Sequence, residues 1–374
     1  MRILLTTDPI GGVWTFTKDL TTELLARGHQ VALVSVGGTP HPGQQAFCEG
    51  LEEACGAAFH FAWSDAPLEW MQDNLLAYQA AAPWLQDVAN SFSPHILHCN
   101  QFCFGRLPLE CPRLITAHSD VLSWAEACRP EGLKESAWLD RYVALVQQGL
   151  AGTDAVTAPT EWMLSALQRN FATPDDMSVI ANGRTLPEPH ENSERKLQAV
   201  SAGRLWDEAK NLALLTRIRS PLPILIAGER QSNSAAAPPI SPSLQLLGHL
   251  QENDLLDLFR RSSLYLAPSI YEPFGLAPLE AALCGCAVLA NDIASLREVW
   301  GDAALYFHDE PSLESLLWAL LADPAMLAAA RHASTRRALE LNASRMAERY
   351  LSLYEDILRS PIERHNYELS GHAS

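Results

Sequence analysis

MRILLTTDPIGGVWTFTKDLTTELLARGHQVALVSV, residues 1–36, decides how the rest of the chain is read. An apolar run at 2–6 leads to a turn at Gly11-Gly12. Val13, Phe16, Leu20 and Leu24 then recur at the spacing that places them on one helical face, Gly28 stops that helix, and a second apolar run fills 31–36. Strand, glycine turn, helix, strand is a β-α-β unit, which joins two parallel strands by a right-handed crossover.

The same alternation continues outward. Residues 96–99, 114–117 and 155–158 are short apolar runs suited to strands buried on both faces, with helical stretches near 66–90 and 135–150 between them. At 186–196, LPEPHENSERK, apolar residues give way to proline and charge, which predicts a linker over 187–196. A second series follows, with strands at 197–202, 224–227, 244–247, 263–267 and 287–290 and helices near 210–218, 253–261 and 277–284. The expected architecture is α/β: two doubly wound, Rossmann-like parallel sheets facing a cleft, one domain over 1–186 and the other over 197–343. A helix at 344–360 is expected to pack back on the first domain, ahead of a polar tail at 361–374. Residues 231–243, QSNSAAAPPISPS, read as a surface loop without chemistry.

Bulk properties narrow the function. A chain of 374 residues suits two cores of ordinary size. Lys and Arg number 27 against 44 Asp and Glu, a net charge of −17, so nucleic acid is repelled over most of the surface. No Lys or Arg occurs between Arg27 and Arg106, which argues against docking on anionic lipid and for a water-soluble acceptor. The eight cysteines include no Cys-x-x-Cys pair and several lie in apolar runs, as reduced core residues do. The first residues lack a signal-peptide apolar region, and no segment is apolar enough to span a bilayer. A cytoplasmic location is expected.

The chemistry concentrates in three stretches. In SIYEPFGLAPLEA, residues 269–281, Pro273 and Gly275 delay the start of a helix, leaving main-chain N–H groups around Phe274, Gly275 and Leu276 free for an anion. Glu272 and Glu280 bracket that turn, placed for a sugar and a ribose. In AGRLWDEAKNL, residues 202–212, a strand end presents Arg204 while Lys210 stands near the start of the following helix, two cations able to neutralise a diphosphate. LLGHL, residues 246–250, suits a base-binding edge at Leu250. Gly11-Gly12 lacks the Gly-x-Gly-x-x-Gly order of a dinucleotide site, which disfavours a dehydrogenase.

Taken together, these stretches, the Arg27-Gly28-His29 helix end, the strand ending at His118 and the segment 179–183 resemble the GT-B glycosyltransferases of glycosyltransferase family 4, the group 1 glycosyltransferases, over nearly the whole chain. The resemblance implies a nucleotide-sugar donor. It implies diphosphate contacts from Arg204 and Lys210, sugar contacts from Glu272 and His118, ribose contact from Glu280, and main-chain contacts from Gly12, Gly275 and Leu276. It further implies transfer of a hexose-type sugar from a UDP- or GDP-sugar to a soluble hydroxyl, with retention and without a metal or other cofactor; no Asp-x-Asp pair occurs. Where the family often reads Asn-Gly-Val-Asp, this chain has Asn182-Gly183-Arg184-Thr185. Trp14 and Trp124 are acceptor-stacking candidates as much as core residues, and Asp120 is either an acceptor contact or a turn cap. A nucleotide-sugar 2-epimerase and a catalytically silent nucleotide-sugar-binding regulatory protein are the rival readings.

Overall fold

A computed structural model describes residues 1–72, 74–187, 194–228 and 243–359. The opening unit forms as its pattern dictates. β1 (Arg2–Thr7) and β2 (Gln30–Val36) pair in parallel from Arg2 opposite Gln30 to Thr7 opposite Ser35, with α1 (Gly12–Ala26) crossing between them. The first half continues through α2 (Pro42–Cys55), β3 (Phe59–Ser64), α3 (Ala77–Phe92), β4 (Ile96–Cys99), β5 (Arg113–Thr116), α4 (Val121–Cys128), α5 (Ala137–Gly152), β6 (Ala155–Ala158), α6 (Glu161–Asn170) and β7 (Met177–Val179). Its sheet runs β3-β2-β1-β4-β5-β6-β7.

The second half comprises β8 (Lys196–Ala202), α7 (Ala213–Arg217), β9 (Ile224–Ala227), β10 (Leu244–Gly248), α8 (Glu252–Arg260), β11 (Ser262–Ala267), α9 (Leu276–Leu283), β12 (Ala287–Asn291), α10 (Ala294–Trp300), β13 (Leu305–Phe307), α11 (Glu310–Ala322) and α12 (Pro324–Glu340). Its sheet runs β10-β9-β8-β11-β12-β13, and every pairing in both sheets is parallel. This is the doubly wound pair expected, and side chains from both faces of each sheet fill separate apolar clusters.

α13 (Ala343–Arg359) returns to the first sheet. Met346, Ala347, Tyr350, Tyr354 and Ile357 share a core with Ile3, Leu5, Phe16, Leu20, Ile96 and Leu114. The Tyr354 hydroxyl lies 2.6 Å from His98 Nδ1, and His98 Nε2 lies 2.7 Å from Thr116 Oγ1, so the helix is latched by a satisfied buried polar network. The two strands of chain that pass between the halves touch: a Cβ at Gly183 would stand 2.2 Å from the Asn342 carbonyl oxygen, so only glycine fits there.

Two expected elements differ. The helix foreseen from residue 66 begins only at Ala77, because Pro67 interrupts the pattern and the buried Glu69 carboxylate accepts from Phe102 N at 2.8 Å, anchoring a loop. The helix foreseen at 210–218 is a single turn at Glu208–Lys210 followed by α7, broken at Asn211, whose φ of 48° is left-handed. Residues 188–193 of the expected linker, the foreseen surface loop apart from Ser243, and residues 360–374 lie outside the described residues. Among the described residues no single helix is long and apolar enough to cross a membrane.

Candidate active site

Open parallel sheets offer a crevice beyond their strand C-termini where the strand order reverses. Here that point lies between β1 and β4 in one sheet and between β8 and β11 in the other. The second sheet supplies most of the predicted residues. Arg204 follows β8, with Nη2 2.6 Å from Asp207 Oδ2 and its guanidinium 5.0 Å from the centre of the exposed Trp206 ring. Lys210 closes the short turn beyond and places Nζ 2.5 Å from Glu272 Oε2, which also accepts from Ser269 Oγ at 3.2 Å.

Gly275, at φ 93°, begins α9 without any side-chain cap, so the first N–H groups of that helix are left open. Phe274 turns its ring into the core, 3 % exposed, and can serve a ligand only through its main chain. Glu280 lies one turn inside α9. Burial pushes its carboxyl above the usual range, while the Arg184 guanidinium opposes that rise. Leu250 is half-buried between β10 and α8, against the apolar cluster of the second sheet.

The first sheet faces this wall with a second open helix end. Gly11, at φ 73°, precedes α1, again without a side-chain cap. A Cβ added at Gly12 would stand 3.4 Å from Leu276 Cδ1, so the N-termini of α1 and α9 confront one another across the cleft. Each carries partial positive charge and free N–H groups. His118, beyond β5, has Nε2 2.6 Å from Asn100 Oδ1. Because Asn100 Nδ2 donates to the Thr6 carbonyl at 2.6 Å, its oxygen faces the ring and His118 Nε2 carries the hydrogen. Burial pushes the His118 pKa down to about 3, so the imidazole is neutral in neutral solution and Nδ1 is left as an acceptor.

Residues 10–186 match the family model described as Glycosyltransferase Family 4, and residues 184–335 match the one described as Glycosyl transferases group 1. The chain belongs to the GT-B glycosyltransferases of family 4. Alpha-maltose-1-phosphate synthase of Mycobacterium tuberculosis is 24% identical over 382 residues, covering 90% of this chain and 94% of that protein. Among solved structures, sucrose-phosphate synthase from Thermosynechococcus elongatus superposes with a TM-score of 0.73 at 17% identity, covering 96% of this chain and 99% of that one. Anabaena HepE, in complex with UDP and glucose, superposes at 0.66 and 15% identity, covering 95% of this chain and all of the other (100%).

The structure places the three acceptor-side candidates of this glycosyltransferase differently, and only Trp14 needs correction. Trp14 is 8 % exposed and its ring meets Phe47 and Phe61 edge to face at 6.3 and 6.4 Å; it lies on the core-facing side of α1 and offers no face to a sugar. Asp120 caps α4, accepting from Ser123 N at 2.9 Å and Ser123 Oγ at 2.5 Å. Trp124 is half-buried and carries Arg129 5.6 Å from its ring centre, and Arg129 reaches across to Glu208 at 3.1 Å, a contact between the two halves.

The glycosyltransferase cleft also holds residues that sequence reasoning passed over. Tyr271 places its hydroxyl 3.0 Å from Ser123 Oγ on the opposite half. Asp8, 5 % exposed at the end of β1, accepts from Ile10 N at 2.9 Å and from Gln101 Nε2 at 3.3 Å. Its position at a strand end, just ahead of Gly11-Gly12, was the available signal. Arg184, beside the position of the missing aspartate, is buried among carboxylates of both halves.

Proposed function

We propose that this glycosyltransferase moves a hexose-type sugar from a UDP- or GDP-sugar to a water-soluble hydroxyl acceptor with retention at the anomeric carbon. The observation that carries this reading is the convergence of two uncapped helix N-termini with Arg204, Lys210, Glu272 and Glu280 on one cleft. Main-chain dipoles and two cations form a pocket for a diphosphate, and the acids at either end suit a sugar and a ribose. The UDP and glucose bound in the HepE structure support this class of donor, and the sugar-phosphate product named for the M. tuberculosis relative supports a small sugar acceptor.

In this reading the acceptor hydroxyl attacks the anomeric carbon from the face that the diphosphate leaves. The bond from that carbon to the diphosphate oxygen breaks, the new glycosidic bond forms, and the hydroxyl proton passes to a phosphate oxygen. Arg204, Lys210 and the two helix ends stabilise the charge that builds on the leaving group. Glu272 orients the sugar through its hydroxyls, Glu280 orients the ribose, and the neutral His118 ring supplies an acceptor from the opposite wall. Leu250 lines the base. Neither a protein nucleophile nor a metal takes part in this scheme.

A thermal-shift screen against UDP-, GDP-, ADP- and dTDP-sugars, followed by turnover of the stabilising donor with sugar and sugar-phosphate acceptors, tests the proposal. Transfer with retained configuration supports it. Isomerisation of the donor without acceptor would instead mark a 2-epimerase, and binding without turnover of any pair a regulatory protein.

A further inference from the structure

Arg184 is 2 % exposed, yet its guanidinium meets three carboxylates from three helices. Nη1 lies 2.8 Å from Asp19 Oδ2 on α1, Nη2 lies 2.9 Å from Glu252 Oε1 at the start of α8, and Nε lies 3.0 Å from Glu280 Oε1 on α9. Lys18, next to Asp19 on α1, completes the cluster with Nζ 2.5 Å from Glu252 Oε2. The first two Arg184 contacts are hydrogen bonds; the third is an ion pair out of hydrogen-bond alignment. Arg184 therefore holds Glu280 by charge, and the Glu280 oxygens keep lone pairs for other donors. The main chain is fixed as well, since Arg184 N donates to the Leu341 carbonyl at 3.0 Å, beside the close crossing at Gly183.

We propose that Arg184 is a positioning residue of the nucleotide site, holding the Glu280 carboxyl by charge with its oxygens free to accept ribose hydroxyls while tying that acid to α1 on the opposite half. The inference rests on the assignment of Glu280 to the ribose made above. A carboxylate as covered as Glu280 drifts toward its protonated form, and Glu252 and Asp19 push it the same way; Arg184, and more weakly Lys18, oppose them. A protonated Glu280 would lose acceptor capacity when the ribose arrives. Arginine suits the task because its rigid planar fork spreads its donors over three nitrogens and so holds three carboxylates apart at fixed angles, where an ammonium is a compact point charge on a flexible stem. Because one guanidinium binds both Asp19 and Glu280, the ribose site is complete only when α1 and α9 stand together.

The test is calorimetric titration with UDP, GDP and ADP, each against its 2′,3′-dideoxy counterpart, between about pH 5.5 and 8.5, on the wild type, Arg184→Gln and Asp19→Asn. The wild type should prefer the ribose form by roughly tenfold to a hundredfold, the span of hydrogen bonds to a charged group. In Arg184→Gln that preference should shrink to within about threefold, and the loss of binding on acidification should begin at a higher pH. Asp19→Asn removes an acid that opposes Glu280 ionisation, so its acid limb should move to lower pH with the ribose preference kept. Wild-type preference and limb in Arg184→Gln, or a shift of both variants in the same direction, would overturn the proposal, because a purely structural cluster has no reason to move them oppositely. If Arg184→Gln fails to fold by circular dichroism, the Asp19→Asn limb decides alone, and an unmoved or raised limb overturns it. A wild type that binds dideoxy and ribose forms equally removes the ribose assignment of Glu280, and the inference with it, while sugar transfer itself remains measurable.

Discussion

Lys210 Nζ stands 2.5 Å from Glu272 Oε2, joining the cation suited to a diphosphate and the acid suited to a sugar although 62 residues separate them. In the proposed function an arriving diphosphate competes for Lys210, and Glu272 is then released to accept sugar hydroxyls. Lys210→Ala or Glu272→Ala should each lower kcat/KM by on the order of a hundredfold or more, the scale for losing one preorganised electrostatic contact. Steady-state turnover checks the effect, and unchanged circular-dichroism spectra check the fold. Near-normal turnover in either variant would remove the pair from the site.

Arg204 is held at 2.6 Å by Asp207, an acid that also caps the turn carrying Lys210 by accepting from Ala209 N at 3.0 Å. Asp207→Asn keeps an oxygen for that cap and gives up the charge. Arg204 is then freer to meet phosphate, and UDP or GDP should bind about two- to fivefold more tightly, since a half-buried pair that solvent still screens at its Arg204 end is worth ~1 kcal/mol. The gain should fade as salt is raised. Weaker binding in the variant would mean that Asp207 orients Arg204 and does not restrain it.

The strands at the centres of both sheets were legible because burial on both faces writes them as unbroken apolar runs; 96–99, 155–158 and 224–227 appear at the bounds read from the sequence. β3 was not, since as an edge strand it reads FHFAWS, with exposed positions among the apolar ones. Glu272, Glu280, Arg204 and Lys210 drew notice because each sits at a strand end or beside a helix start marked by Gly or Pro. Arg184 gave only the signal of a departure from the family's Asn-Gly-Val-Asp: its partners lie at positions 19, 252 and 280, brought together by the packing of three helices. Trp14 misled for a related reason, as an aromatic residue after a glycine turn has the same sequence signature in a core as in a sugar site.

Trp14 accordingly yields a prediction about stability. Trp14→Ala empties a site between Phe47 and Phe61 and should cost ~3–5 kcal/mol in urea unfolding. The folded fraction should retain its acceptor KM, and Trp14→Phe should recover much of the loss. A raised acceptor KM with unchanged stability would return Trp14 to the acceptor site.

Asp8 provides a pH-dependent test. Burial pushes its pKa from 3.8 to about 7, with Glu69 adding to the rise and the Ile10 and Gln101 hydrogen bonds and Arg204 opposing it. Between about pH 4 and 7 the folded chain keeps a proton that the unfolded chain has released, so stability falls as pH climbs through that window and the loss is complete above it. Asp8→Asn abolishes the titration. The new amide can also donate to Gln101 Oε1, which has no hydrogen-bond partner, once the Gln101 amide turns round. The variant should therefore be more stable by on the order of 1–3 kcal/mol at about pH 8, with the gap closing toward about pH 4, where Asp8 is itself neutral. Urea unfolding at the two pH values measures both differences, and an advantage that is equal at both, or larger at the acid end, would show that Asp8 is ionised in the folded protein.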